Sequence, residues 1–239
     1  EDKEDVTAVL VCNNSIQHIL LLFAIQNTGM KLVLINDKNH QNDILNIINT
    51  QKNPCLVFAS ESKMLPVENL ICIEELFNYT EEKQIHFKPS QKATAVIFPT
   101  SGTTGASKLI QKKEGAFYWF RSFTDLVTYT GIYKKKSVFI AVPVSHGFGY
   151  TALMFSLVLG KKAVVAAKKD WNQKADIILQ EKAELIAGVP ASLFYLSEKL
   201  KGKNHQVGLI ISGGAPLNQL TLDSITQCLS KNIFSMYGS

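Results

Sequence analysis

The sequence of 239 residues predicts an α/β fold in which a mostly parallel β-sheet is flanked by helices. Short apolar runs of strand length recur along the chain, and segments with helical spacing separate most of them. Strands that are apolar on both faces need helices on both sides of their sheet, and a helix between consecutive strands lets them run parallel. Because no repeat, low-complexity tract or linker interrupts this alternation, we expect one continuous domain.

The first elements show how the sequence sets their ends. An apolar run over residues 6–11 predicts a buried strand, the polar residues 13–15 offer N-caps for a helix over 16–27, and Gly29 closes that helix. The elements expected next are a strand at 31–35, a helix at 41–50, strands at 55–59 and 70–73, and a polar, loop-rich stretch at 77–91. This part therefore predicts strands joined by helical crossovers.

The second half repeats the alternation. The apolar residues 95–98 form a strand, and Pro190 sits at the favoured first position of a helix that runs to residue 200. The other strands are expected at 109–111, 137–142, 163–167, 185–189, 207–212 and 233–235, and the other helices at 114–129, 148–159, 173–180 and 217–229. Ligands of such sheets bind beyond the carboxyl ends of the strands.

Composition excludes several classes of function. The net charge is +5 with dispersed lysines, which indicates a solvated surface rather than a nucleic-acid site. The four cysteines form no C-x-x-C pair, which argues against a zinc site or a disulfide framework and favours a reducing, cytoplasmic location. No apolar stretch approaches the ~20 residues of a membrane span, so no transmembrane segment is expected. Residues 1–5 do not form a signal peptide.

A loop rich in glycine and hydroxyl residues follows the strand at 95–98, with the sequence PTSGTTGASK over residues 99–108. Glycines allow close approach to a ligand, hydroxyls donate hydrogen bonds to phosphate oxygens, and a lysine adds positive charge. The candidate phosphate-binding residues are Thr100, Ser101, Gly102, Thr103, Thr104, Gly105 and Lys108. A polar surface turn is the alternative, but the strand before the loop and its terminal lysine favour a phosphate site.

This loop resembles the signature [ST]-S-G-[ST]-T-G-x-P-K of the ATP-dependent adenylate-forming superfamily, with Ser107 in the proline position. Three further segments resemble motifs of that family in the same order: VPVSHGFG at 142–149, ISGGAPL at 211–217 and MYGS at 236–239. GVPAS at 188–192 resembles a turn of the same domain. The resemblance implies that residues 1–239 are part of an N-terminal ATP- and acyl-adenylate-binding domain, without the lysine-bearing C-terminal domain.

The resemblance also implies a reaction and roles for residues. A carboxylate attacks the α-phosphate of ATP to give an acyl-adenylate, which then forms a thioester with coenzyme A. The implied catalytic residues are Thr100, Lys108 and His146, with His146 a wall of the acyl pocket rather than a general base. The implied nucleotide contacts beyond the loop are Gly213, Gly214, Ala215, Pro216, Tyr237, Gly238 and Ser239. Tyr237 stacks on adenine in this interpretation, although a core tyrosine is its alternative.

The substrate is the least determined part of the prediction. The implied pocket residues are His146, Gly147 and Val189, and the apolar helix at 148–159 favours a fatty or aryl acid. ATP, coenzyme A and Mg²⁺ are the expected ligands, with a glutamate beyond residue 239 expected to bind the Mg²⁺. Two alternatives stay open: an adenylation enzyme that loads an acyl carrier protein, and a non-catalytic nucleotide-binding module. The oligomeric state is not predicted.

Overall fold

The computed structural model describes residues 6–63, 65–78, 94–100, 108–111, 124, 127–167 and 170–236. The side chains of Thr100, Lys108 and Gln111 are outside this description. The chain divides into two compact units, residues 1–113 and 114–239. Each unit has its own sheet, so the described strands form two sheets rather than the one sheet expected from the sequence. The α/β class with mostly parallel strands is confirmed.

The first unit contains a six-stranded sheet in the order β4-β3-β1-β2-β5-β6. Its strands are β1 (Thr7–Cys12), β2 (Lys31–Asn36), β3 (Cys55–Ala59), β4 (Leu70–Cys72), β5 (Val96–Thr100) and β6 (Lys108–Gln111). Its helices are α1 (Ile16–Thr28), α2 (Gln41–Asn49) and α3 (Ile73–Asn78), with a 3₁₀ turn at Glu61–Lys63. All neighbouring strands are parallel except β5 and β6, which form an antiparallel hairpin.

Helix α1 begins and ends as the sequence predicts. The Ser15 hydroxyl accepts a hydrogen bond from the backbone N–H of His18, and Gly29 follows the helix in the left-handed region at φ 76°. Buried apolar side chains of β1, β2 and β3 pack against α2 to form the core of this unit. The short helix α3 was not predicted, because six residues give too little helical spacing to detect.

His18 is buried in this unit, and both nitrogens of its ring contact polar groups. Its Nδ1 accepts the backbone N–H of Asn13 at 3.0 Å, and its Nε2 lies 3.0 Å from the Ser60 hydroxyl. Because Nδ1 is an acceptor, the neutral ring carries its hydrogen on Nε2 and donates it to Ser60. This contact joins helix α1 to Ser60, the residue that follows β3.

The second unit contains a five-stranded parallel sheet in the order β11-β10-β9-β7-β8. Its strands are β7 (Ser137–Ile140), β8 (Lys162–Val164), β9 (Leu185–Gly188), β10 (Leu209–Ser212) and β11 (Ile233–Ser235). Its helices are α4 (Gly147–Val158), α5 (Trp171–Gln180), α6 (Pro190–Leu200) and α7 (Gln219–Cys228), with a 3₁₀ turn at Ile132–Lys134. The predicted helix at 114–129 and loop at 77–91 lie largely outside the described residues.

The two faces of this sheet are covered by different helices. Phe139, Ile186 and Ile210 pack with α5, α6 and α7 in one buried core. Because side chains alternate along a strand, their neighbours Leu185 and Ile211 face the opposite side, where α4 lies. The predicted bounds are otherwise close, but the strands at 163–167 and 207–212 are shorter than expected, at Lys162–Val164 and Leu209–Ser212.

Within the described residues, no helix is both long enough and apolar enough to cross a membrane.

Candidate functional site

The β5–β6 hairpin fixes the two ends of the predicted phosphate loop. Thr100 and Lys108 are Cα partners in the antiparallel ladder, so the backbone leaves β5 and returns to β6 at directly opposed positions. Pro99, which lacks an N–H, lies beyond the residues of β5 that pair with β2. The loop itself (Ser101, Gly102, Thr103, Thr104, Gly105) lies outside the described residues, so its role in phosphate binding stays a prediction.

In the second unit, the segment after β7 turns back on itself to begin α4. The His146 N–H donates to the carbonyl of Pro143 at 3.1 Å, and the His146 carbonyl accepts the N–H of Tyr150 at 2.9 Å. Gly149 passes so close to this turn that a Cβ there would lie 2.1 Å from the Pro143 oxygen. Gly147 has open space around its Cα. The glycine that this fold requires is therefore Gly149, which the sequence prediction left out of the site.

His146 occupies the N-cap position of α4 without making a side-chain cap. Its side chain remains partly exposed, but the surrounding protein removes enough water that burial lowers the pKa of the imidazole below its ordinary value. The positive end of the helix dipole also disfavours a protonated ring at this position. Burial and the helix dipole both favour the neutral form of the His146 imidazole, and its role as the wall of an acyl pocket stays a prediction.

Three carboxyl ends of the parallel sheet meet around the glycines after β10. The Gly213 N–H donates to the Gly188 carbonyl at 3.2 Å, which links the ends of β10 and β9. A Cβ on Gly213 would lie 3.3 Å from the ring of Phe148, and a Cβ on Gly214 would lie 3.3 Å from Cγ1 of Val189. Gly214 also has φ 81°, a conformation that favours glycine. The structure thus brings together the segments that carry Gly147, Val189 and Gly213.

Ser145 and Ser212 were quoted in the motifs but not predicted as site residues. Both hydroxyls are buried, and neither has a hydrogen-bond partner within the described part of the chain. Leaving a buried hydroxyl without a partner costs about 1–3 kcal/mol, so native proteins rarely keep one without a reason. Two such groups flank the turns at the carboxyl ends of β7 and β10. A ligand or water would satisfy them, and this signal exists only in three dimensions.

An apolar space lies between α4 and the sheet. It encloses about 400 Å³, including the part open to solvent. Its walls are Ile132, Val138, Phe148, Thr151, Ala152, Phe155, Ser156, Leu185, Ala187, Ile211 and Met236. His146, Gly147 and Val189 are not among these walls, so their assignment to an acyl pocket stays a prediction.

The described residues of the site differ in how well they suit a nucleotide and a metal ion. Gly214, Ala215 and Pro216 are exposed at the carboxyl edge, where their backbone is accessible to a planar ligand. Tyr237, Gly238 and Ser239 lie outside the described residues; Met236 before them donates its N–H to the Ser212 carbonyl at 2.7 Å. The described residues contain no group of three or more His, Cys, Asp or Glu that could hold a metal ion. They do not by themselves form a magnesium site.

Comparison with known proteins identifies the family. The sequence profile described as AMP-binding enzyme matches residues 2–239. The chain belongs to the AMP-binding enzyme family. Membership confirms the resemblance that the loop at 99–108 and the three later segments indicated.

The curated relatives of this AMP-binding chain are CoA ligases by name. It is 26% identical over 238 residues to 2-succinylbenzoate--CoA ligase of Bacillus subtilis (strain 168), covering 97% of this chain and 48% of that protein. It is 28% identical over 212 residues to the ligase of the same name from Bacillus pumilus, covering 87% and 43%. It is 24% identical over 271 residues to 4-coumarate--CoA ligase-like 3 of Arabidopsis thaliana, covering 98% and 47%. The chain spans about half the length of the curated relatives it matches.

Solved structures of similar fold support the same architecture. The O-succinylbenzoate coenzyme A synthetase of Bacillus subtilis in complex with AMP superposes with a TM-score of 0.79 at 23% identity, covering 99% of this chain and 62% of that one. The N-terminal subdomain of Klebsiella oxytoca NpsA gives a TM-score of 0.79 at 15% identity, with the same coverage. At these identities the likeness establishes the fold of the AMP-binding chain.

Proposed function

We propose that this chain is the nucleotide-binding part of an AMP-forming acid–CoA ligase. In the proposed reaction, a carboxylate oxygen attacks the α-phosphorus of ATP and pyrophosphate leaves, which gives an acyl-adenylate. The thiol of coenzyme A then attacks the acyl carbon, the thioester forms, and AMP leaves as the thiol proton is released. The relatives are named as CoA ligases, and one of the solved structures of similar fold is described as a complex with ATP and magnesium ion.

One observation carries the proposal. Three segments that resemble family motifs, at 142–149, 188–192 and 211–217, meet at adjoining carboxyl ends of one parallel sheet. Open α/β sheets bind their ligands at this edge. Two of the three buried hydroxyls that have no partner in the described residues, those of Ser145 and Ser212, lie at the same edge, and the third, of Thr7, belongs to the first unit. A ligand bound there would reach polar groups that nothing in the described protein satisfies.

The proposed roles follow from charge and position. A carboxylate and a triphosphate repel each other, so the site must screen negative charge and hold the reacting groups in line. In the proposal, the hydroxyls of the 99–108 loop and Lys108 hold the β- and γ-phosphates, while Thr100 marks the start of that loop. His146 serves as an uncharged wall, because a carboxylate nucleophile needs no base and a neutral imidazole does not retain the negative substrate. Magnesium would neutralise phosphate charge when bound.

We further propose that the acid is an aryl acid rather than a long-chain fatty acid. The relatives named 2-succinylbenzoate--CoA ligase and 4-coumarate--CoA ligase-like 3 carry aryl acids in their names. The space between α4 and the sheet is lined mainly by apolar side chains, which suits the ring of an aryl acid. Residues 1–239 would then form part of the N-terminal domain, and the glutamate for magnesium and the lysine-bearing domain would lie outside them.

The proposal can be tested with non-hydrolysable acyl-adenylate mimics that differ only in the acyl group. At about a hundred times its dissociation constant, a ligand stabilises the folded state by ~2.7 kcal/mol. For a chain of this size the melting temperature should rise by about 2–4 °C per kcal/mol. We expect the largest shift with aryl mimics, a smaller shift with Tyr237→Ala, and an unchanged shift with the control Tyr195→Ala, an exposed tyrosine of α6.

The outcomes separate the proposal from its alternatives. Absence of a shift with every mimic would contradict the proposed site in this chain. If AMP raises the melting temperature and the acyl-adenylate mimics raise it no further, acid activation is contradicted and a non-catalytic nucleotide-binding module is favoured. A shift that is largest with aliphatic mimics would overturn the aryl substrate and leave the ligase reaction in place. Thioester formation on coenzyme A, measured with a protein that also carries the proposed lysine-bearing domain, would exclude a carrier protein as the required acceptor.

A further inference from the structure

The lysines of the second unit gather at one end of its parallel sheet, the amino end, opposite the carboxyl edge described above. The segments that lead into the five strands, with the first residue of β8, carry nine lysines and two glutamates. These are Lys134, Lys135, Lys136, Lys161, Lys162, Lys182, Lys201, Lys203 and Lys231, with Glu181 and Glu184. Lys161 is buried, so eight lysines against two glutamates leave an excess of six positive charges at the surface, which is still more than the net charge of +5 for the whole chain. We refer to this surface as the basic edge.

Hydrogen bonds join these segments into one continuous surface. The Lys162 N–H donates to the Lys136 carbonyl at 2.9 Å, and the Lys136 N–H donates to the Glu184 carboxylate at 3.2 Å. The Gly208 N–H donates to the Glu184 carbonyl at 2.9 Å, and the Asn232 side chain donates to the Gly208 carbonyl at 3.2 Å. These hydrogen bonds hold the backbone segments before β7, β8, β9, β10 and β11 together at this end of the sheet.

Most of this positive charge is not neutralised locally. Glu181 pairs with Lys162, and Asp176 of α5 pairs with Lys203 at 3.1 Å. Within the described part of the chain, no carboxylate oxygen lies within 4.0 Å of the ammonium groups of Lys134, Lys136, Lys182, Lys201 and Lys231. All five of these lysines are exposed. An uncompensated group of exposed lysines produces a positive potential that attracts an anionic partner.

Exposed apolar side chains lie among the lysines. Tyr133 is 58% exposed, and Leu157 and Val158, at the end of α4, are 44% and 71% exposed. Lys161 joins the backbone of the two segments: its N–H donates to the Ser156 carbonyl at 2.8 Å and its ammonium donates to the Tyr133 carbonyl at 3.4 Å. A phosphate backbone would not contact aliphatic groups, whereas lipid acyl chains would.

We infer that the basic edge docks on the anionic surface of a lipid bilayer. Lysines within a Debye length of anionic headgroups bind them electrostatically, and tyrosine and aliphatic side chains enter the headgroup and acyl boundary. The inference concerns the opposite end of the sheet from the carboxyl-edge site and does not rest on the proposed ligase function.

Co-sedimentation of the 239-residue chain with vesicles tests this inference. The chain should bind vesicles of phosphatidylcholine mixed with phosphatidylglycerol, should bind phosphatidylcholine alone far more weakly, and should dissociate as salt is raised. The pair Lys134→Gln and Lys136→Gln should weaken binding by about 25-fold at low salt, since each lysine near the surface contributes about fivefold. The matched pair Lys38→Gln and Lys52→Gln removes the same charge from exposed positions of the first unit and should change binding less than twofold.

A third variant, Val158→Ser, tests the apolar contact. It should weaken vesicle binding by about threefold or more, because an exposed valine that enters the acyl boundary loses that contact. If the two lysine pairs weaken vesicle binding equally, the net charge of the chain explains the binding and the inference is overturned. Absence of vesicle binding would also overturn it. The chain can also be tested with a single-stranded oligonucleotide. If it binds the oligonucleotide, and Val158→Ser changes neither oligonucleotide binding nor vesicle binding, the partner is nucleic acid and the inference is overturned.

Discussion

The chemistry of the carboxyl edge depends on single side chains whose charge state the fold controls. His146 lies beside the positive end of α4, and burial lowers the pKa of its imidazole. Lowering the pKa of a histidine favours the neutral ring, which neither attracts nor repels a carboxylate strongly. The residue thus presents shape and a hydrogen-bonding nitrogen rather than charge. Its position follows from the turn held by the His146–Pro143 hydrogen bond.

This pKa shift predicts a pH-dependent stability. In the folded chain the pKa of His146 is below its unfolded value of about 6.5. Well above pH ~6.5 the ring is neutral in both the folded and the unfolded state and contributes no slope. As pH falls below that value, the unfolded chain binds the proton more readily, so the free energy of unfolding should decrease until the folded pKa is passed. His146→Gln should remove this decrease, which urea unfolding at a series of pH values can measure.

A ring titration by NMR provides the independent check. The His146 resonance, assigned by its absence in His146→Gln, should titrate with a midpoint below ~6.5. A midpoint at or above this value would contradict the burial argument, as would an identical pH slope for the variant and the parent chain. The stability measurement and the ring titration report on the same equilibrium, so they must agree in sign.

At the scale of elements, the helices of the second unit begin in different ways. Helix α5 has a complete capping box between Asp170 and Gln173, and α7 is capped by the side chain of Asn218. The N-cap residues of α4 and α6 are His146 and Val189, and neither side chain caps its helix. The first backbone N–H groups of a helix need a partner, so an uncapped end leaves them to water or a ligand. The first residues of these two uncapped helices belong to the segments at 142–149 and 188–192, which resemble family motifs.

The packing of α4 against its own turn predicts the effect of Gly149→Ala. The new Cβ would lie 2.1 Å from the carbonyl oxygen of Pro143, which belongs to the backbone and cannot rotate away. The turn or the helix must therefore shift, and we expect a loss of about 3 kcal/mol in the free energy of unfolding. Urea unfolding monitored by circular dichroism measures this loss.

Gly147→Ala is the matched control in the same helix. A Cβ at Gly147 meets nothing within 4 Å, so the substitution should be neutral or stabilise the helix by about 0.5–1 kcal/mol through the lower entropy of alanine. Equal stability of the two variants would show that the turn at Pro143 yields easily, and the close-approach explanation for Gly149 would then be wrong.

At the scale of the whole molecule, the sequence predicted local elements better than their assembly. Strand β3 has its predicted bounds, and Pro190 opens α6 as expected, because apolar runs and proline geometry act locally. The division into two sheets depends on which strands pair, and nothing within a strand encodes its partner. The contact of Phe148 with Gly213 joins residues far apart in sequence, so the sequence offered no signal for it.

Separate cores predict that the second unit folds without the first. Residues 114–239 include a five-stranded parallel sheet that packs against α4 on one face and against α5, α6 and α7 on the other. A chain of this length is within the usual range of independent domains. We expect the fragment to unfold cooperatively in urea with the circular dichroism of an α/β protein.

Leu193→Ala, which removes a fully buried side chain packed against Gly188, should lower the free energy of unfolding of this fragment by about 2–5 kcal/mol. A fragment that unfolds without a cooperative transition, or that is insensitive to Leu193→Ala, would show that this core needs the remaining residues to form.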